Sequence, residues 1–119
     1  MADGTGIILL LMAALTLHLV EQIRTGFRDQ LPLGAMPLPA FVGINVAAYT
    51  LCFATLIASV RRGELATPFT WLFAIAMSAN GLGYVAVVVA RRRYVPGAAT
   101  AVFVLILAGC LVLRLLGAI

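Results

Sequence analysis

Residues 15–25 read LTLHLVEQIRT, with His18, Glu21 and Gln22 three and four residues apart. On a helix that spacing places all three on one stripe, Glu21 about 60° from His18 on one side and Gln22 about 40° on the other. A histidine and a carboxylate on one stripe are the residue types of general acid–base chemistry, in which a proton is taken from one atom and delivered to another. Yet the stretch prolongs an apolar run, GIILLLMAAL at 6–15. A central charged residue facing lipid costs roughly 2.5–3.5 kcal/mol on insertion scales, so the stripe should face other helices or a wet cavity. The structural alternative is that Glu21 pairs with Arg24 or with the Arg91–Arg93 run, while His18 bonds a neighbouring helix.

Two further groups carry polar atoms into apolar sequence. Asn80 and Tyr84 are spaced i,i+4 within SANGLGY, beside Gly81 and Gly83, which would let another backbone approach. Asn45 and Tyr49 repeat the spacing further upstream. Interhelical asparagines and glycine stripes are common glue in membrane bundles, so packing is the competing explanation for both pairs. In YVPGAAT, at 94–100, Pro-Gly marks a turn and Thr100 falls in the first turn of a helix, whose free N–H groups would suit an anionic or carbonyl oxygen.

These residues need elements to position them, and composition says which. Of 119 residues, 64% are hydrophobic and 10% charged, and mean hydropathy is +1.14. Soluble domains hold roughly half apolar and about a quarter charged residues, so the chain reads as an integral membrane protein. Apolar segments long enough to cross ~30 Å of hydrocarbon are predicted at about 6–23, 40–60, 68–90 and 98–116. The expectation is a single all-α domain, an integral membrane four-helix bundle with short loops. Pro39 and Pro68 fit first helical turns, where a missing N–H costs little.

Alternating spans bring the end of the first helix, the start of the second, the end of the third and the start of the fourth to one face. By helical rise, His18 enters from that face by roughly 8 Å, Glu21 by about 3 Å, Asn45 by about 8 Å, Tyr84 by about 9 Å, Asn80 by about 15 Å and Thr100 by about 4–6 Å. The opposite end holds little beyond Ser59, Thr67, Thr70, Trp71 and Arg114, which read as interfacial residues and a snorkelling cation.

The net charge of +4 comes from eight arginines and no lysine, placed almost wholly between apolar runs. Such cations meet lipid phosphates and set topology, and nucleic acid is not an expected partner. The first and third loops carry five arginines against three for the second loop and C-terminus, which favours the former in the cytoplasm of a multi-pass cell-membrane protein. MADGTG has no positive charge before its apolar run and no suitable cleavage site after it, so the first helix is expected to be retained rather than cleaved as a signal. Cys52 and Cys110 lie in apolar segments without metal-ligand spacing and read as small buried hydrophobes.

Taken together, HLVEQ at 18–22, NGLGY at 80–84 and YVPGAAT at 94–100 resemble the HXXEE-domain family of small integral membrane proteins, whose signatures are H-x-x-E-E, N-x-x-x-H and Y-x-P-G-x-x-T in that order. The resemblance spans nearly the whole chain. Tyr94, Pro96, Gly97 and Thr100 match the third signature fully, while Gln22 stands in place of the second glutamate and Tyr84 in place of the second histidine. The family has no assigned activity, so the resemblance supplies residues and not a reaction. A two-His, two-Glu set would suit a transition metal, but one His and one Glu with poorer ligands do not, and neither metal nor cofactor is expected.

The leading expectation is therefore an intramembrane acid–base enzyme acting on a lipophilic small molecule (isoprenoid, sterol-like or polyketide lipid) by isomerisation, cyclisation or hydrolysis. His18, Glu21 and Asn80 are the candidate catalytic residues; Gln22, Asn45, Tyr84, Tyr94 and Thr100 would bind substrate. The partners implied are membrane lipid and that substrate, entering sideways from the bilayer. The first loop, 26–39, is apolar enough to act as a lid, although a plain proline-stiffened connector explains it better. Rival expectations are a proton-coupled small multidrug-type transporter, whose site belongs nearer the midplane, and a non-catalytic accessory subunit. The small-residue-rich third helix would also serve a homodimer.

Overall fold

The structure, a computed structural model, describes residues 4–24, 37–94 and 97–118. Four helices run in order: α1 (Thr5–Arg24), α2 (Leu38–Arg61), α3 (Ala66–Arg91) and α4 (Ala98–Leu115). Each is long and apolar enough to cross a membrane. Among the described residues there is no strand, and the chain is an all-α, four-helix, multi-pass membrane protein. Hydrocarbon offers backbone polar groups no partner, so each span satisfies its own N–H and C=O groups as a helix. The expected bounds lie within two residues of these. The first-loop lid falls mostly on residues outside the described ones.

Helix ends follow local chemistry. Pro39 occupies the first turn of α2, where no intrahelical donor is needed. α2 and α3 both stop at an arginine in the left-handed region, Arg62 (φ 53°) and Arg92 (φ 52°), and the Arg92 N–H closes α3 by bonding the Val88 carbonyl at 2.8 Å. α4 begins after Gly97, whose φ of 96° suits glycine.

The helices pack as a ring in which α1 and α3 each touch α2 and α4. Ile8, Leu11 and Leu15 meet Cys52, Phe73, Met77, Val104 and Leu111 in one buried cluster. Outward-facing residues such as Leu10, Leu17, Ile44 and Phe103 are exposed, as expected where the surrounding solvent is acyl chain. Cys52 and Cys110 are free thiols, buried and half-buried respectively.

α3 and α4 share the most extensive contact of any pair, and Gly81 brings their backbones close within it. A Cβ there would stand 2.7 Å from Leu105 Cβ and 3.0 Å from its Cα, whereas one at Gly83 would meet nothing within 4 Å. Only the first of the two predicted glycines carries the approach. Gly81→Ala should lower stability by about 1–3 kcal/mol, since backbone must move to admit the methyl. Gly83→Ala should be neutral or slightly stabilising. Thermal denaturation of both variants in the same detergent checks the contrast.

Candidate functional site

The last turn of α1 meets the first turn of α4. Gly97 offers no side chain to cap α4, and Glu21 takes over that role from α1. Its Oε1 accepts the Thr100 N–H at 2.9 Å and the Thr100 hydroxyl at 2.6 Å, and its Oε2 accepts the Ala99 N–H at 3.3 Å and the Tyr94 hydroxyl. An N-cap side chain ordinarily reaches the second or third N–H of its own helix; here a carboxylate supplied in trans takes both, where the helix dipole favours negative charge. All four groups donate, so the carboxylate serves as acceptor alone. The neighbouring arginines Arg24 and Arg91–Arg93 are not among these partners, unlike in the ion-pair alternative.

His18 sits one turn deeper and is 2% exposed. Its Nδ1 lies 2.9 Å from Thr100 Oγ1. That hydroxyl has one proton, which it gives to Glu21, so His18 Nδ1–H is the donor to Thr100. The result is a relay from imidazole through hydroxyl to carboxylate. His18 Nε2 is left with its lone pair directed at the Gln22 amide, 3.3 Å away. Gln22, 8% exposed, also donates from Nε2 to the Tyr84 hydroxyl. The Tyr84 ring meets the imidazole edge to face, with centroids 4.8 Å apart at 87°. Gly97 closes the far wall: a Cβ there would lie 2.8 Å from Tyr84 Cε1 and 3.0 Å from His18 Cε1.

Six of the eight expected site residues thus converge: His18, Glu21, Gln22, Tyr84, Tyr94 and Thr100. His18 and Glu21 do so through Thr100 and not as a directly bonded pair. Asn80, half-buried on α3, takes none of these hydrogen bonds. Asn45 donates to its own helix, to the Phe41 carbonyl at 2.9 Å, and faces a separate apolar groove of about 780 Å³ between α1 and α2, lined there by Leu19, Ile23 and Phe53. Tyr49 binds Thr16 Oγ1 at 2.7 Å, a cross-helix tie that the i,i+4 spacing with Asn45 did not disclose. Gly97 as a wall was hidden in the Pro-Gly turn, since it offers no side chain to read, whereas the Ala99 N–H is one of the free helix-start donors that the turn implied.

Among the described residues no three His, Cys, Asp or Glu side chains gather as a metal site would require. No buried side-chain nitrogen or oxygen among them is left without a hydrogen bond. Gln22 and Tyr84, the two positions that depart from the signatures the motifs resemble, are bonded to one another.

A family model described as protein of unknown function with HXXEE motif matches residues 9–112. No curated protein and no solved structure matches.

Proposed function

Since the chain belongs to the family of proteins of unknown function with an HXXEE motif, and Gln22, Tyr84 and Thr100 from its motifs meet at the His18 imidazole, we propose that it is an intramembrane acid–base enzyme acting on a lipophilic small molecule of isoprenoid, sterol-like or polyketide type. One observation carries the reading: a buried histidine has Nδ1 held by Thr100 and, through it, Glu21, while Nε2 meets the Gln22 amide in a long contact of 3.3 Å. Orientation of one ring nitrogen by a hydrogen-bonded acceptor, with the other presented as a base, is the arrangement acid–base catalysis uses.

In this reading Glu21 is the anchor and His18 the catalytic base. A substrate carbonyl would displace the Gln22 amide and accept from the Tyr84 hydroxyl, with Asn80, one turn away on α3, holding a second polar atom. Nε2 takes a proton from the carbon beside that carbonyl, and negative charge grows on the oxygen that Tyr84 stabilises. Returning the proton to another carbon completes an isomerisation; attack of the enolate carbon on a second carbonyl within the substrate, whose oxygen then takes the proton back from His18 as its C=O π bond opens, completes a cyclisation. Both balance without oxidant or co-reactant. The hydrocarbon portion would extend into the surrounding acyl chains, with the site at the cytoplasmic end of the cell membrane as the arginine distribution favours.

His18→Gln and Tyr84→Phe should each remove a product found by untargeted analysis of lipid extracts from cells expressing the wild type, with folded protein retained. A second reading has one observation on its side: Glu21 joins α1 to the α4 start with every donor satisfied, which is what a non-catalytic clasp requires. That reading predicts less folded protein in both variants and unchanged lipid profiles.

A further inference from the structure

The groove between α1 and α2 is separate from the hydrogen-bonded group around His18. Its volume of about 780 Å³ falls within the roughly 300–1,000 Å³ of ordinary ligand sites. Leu19 and Ile23 of α1 and Val46, Phe53 and Ile57 of α2 give it hydrocarbon walls, and among the described residues no charged side chain lines it. Three polar side chains of α2, Asn45, Tyr49 and Thr50, line it as well, within the span and away from either end of the helix.

Following each proton shows what these three still offer. Thr50 gives its hydroxyl proton to the Val46 carbonyl at 2.7 Å. Thr16 gives its own to the Met12 carbonyl at 2.9 Å, so the tyrosine is the donor in the 2.7 Å contact between Tyr49 and Thr16. Asn45 gives one amide proton to the Phe41 carbonyl. Lone pairs on Tyr49 Oη, Thr50 Oγ1 and Asn45 Oδ1 remain, against one spare N–H on Asn45. That N–H and Oδ1 take no partner among the described residues. No fully buried polar side-chain atom among them goes unbonded, so Asn45 Oδ1 is accessible. A carboxamide open to hydrocarbon without a partner is costly.

We propose that the groove binds a neutral lipid whose hydrocarbon body carries a hydroxyl group. The hydroxyl gives its proton to Asn45 Oδ1 and accepts the spare Asn45 N–H, so it matches both halves of the carboxamide. A ketone or ester only accepts and would meet an acceptor-rich wall, and a charged head would find no counter-ion in the lining. The site uses nothing of the chemistry proposed at His18, so its failure leaves that reading standing.

The test is thermal denaturation of the purified full chain in detergent, titrated with oleyl alcohol, with methyl oleate, which accepts but has no O–H, or with 1-octadecene, which has neither function. Oleyl alcohol should stabilise wild type saturably and at lower concentration than the other two. Asn45→Leu should weaken its apparent affinity by about fivefold, the scale of one hydrogen bond. Asn45→Ala, a favourable helix residue, should show the same loss and serves if the leucine variant does not fold. Ser78→Ala on α3, outside the groove lining, should leave the affinity unchanged. Equal stabilisation by all three compounds would mark an ordinary acyl-chain surface and overturn the proposal. So would an affinity that ignores both Asn45 variants, an equal loss in Ser78→Ala, or stabilisation that rises with protein concentration and not with the alcohol, as a second copy seated in the groove would give.

Discussion

Replacing Glu21 by alanine is expected to cost about 3 kcal/mol or more and to leave little folded protein. The substitution strands the Ala99 and Thr100 N–H groups and the Thr100 and Tyr94 hydroxyls together. Hydrogen bonds to a charged acceptor contribute about 1.5–3 kcal/mol each, and a buried donor left unmade costs about 1–3 kcal/mol; they are not additive here, because water at the rim recovers some of the exposed donors. Glu21→Gln keeps one acceptor oxygen and turns an amide NH2 toward donors, so it should fall between wild type and alanine. Thr100→Val, which removes the hydroxyl but keeps the N–H bonded to Oε1, should cost less than either. Unfolding temperatures of the three variants in one detergent test that order. An ion pair with Arg24 or the Arg91–Arg93 run would instead make Thr100→Val silent.

Gly97→Ala is expected to have the second largest effect. At φ 96° an L side chain meets steric strain of about 1–2 kcal/mol. The added methyl would also overlap the Tyr84 and His18 rings at 2.8 and 3.0 Å. Both rings must turn, which breaks the edge-to-face contact and draws His18 Nδ1 away from Thr100. The variant should lose both stability and any His18-dependent product. Gly117, also at positive φ (76°) but with nothing within 4 Å of an added Cβ, separates the two causes: Gly117→Ala should show backbone strain alone and leave the product intact.

The bundle was legible because hydrocarbon admits so few solutions. Four apolar runs bounded by Arg, Gly and Pro dictate four helices, and antiparallel alternation then dictates which ends meet. Residues at those ends with hydrogen-bonding side chains, such as His18, Glu21 and Thr100, could therefore be grouped in advance. Connectivity within the group was not legible. That Thr100 stands between His18 and Glu21 depends on the axial offset of α4 against α1, which no spacing within either helix encodes. Asn80 and Asn45 show the same limit from the other side. Helical rise placed both at suitable depths, but rotation about the helix axis decides which neighbour a side chain meets. For Asn45 that neighbour is its own helix and the α1–α2 groove. Gly97 escaped notice as a site residue because its contribution is the absence of a side chain.

The coupling of His18 to Glu21 through a single hydroxyl is most directly tested by the protonation pattern of the imidazole. The chain has one histidine, so 15N-histidine labelling and solid-state NMR in lipid bilayers give one Nδ1 and one Nε2 resonance without assignment. The account predicts a proton on Nδ1, a bare Nε2, and a shift of the Nδ1 resonance in Thr100→Val. A proton on Nε2 with Nδ1 bare, or an Nδ1 resonance that ignores the loss of the Thr100 hydroxyl, would contradict it.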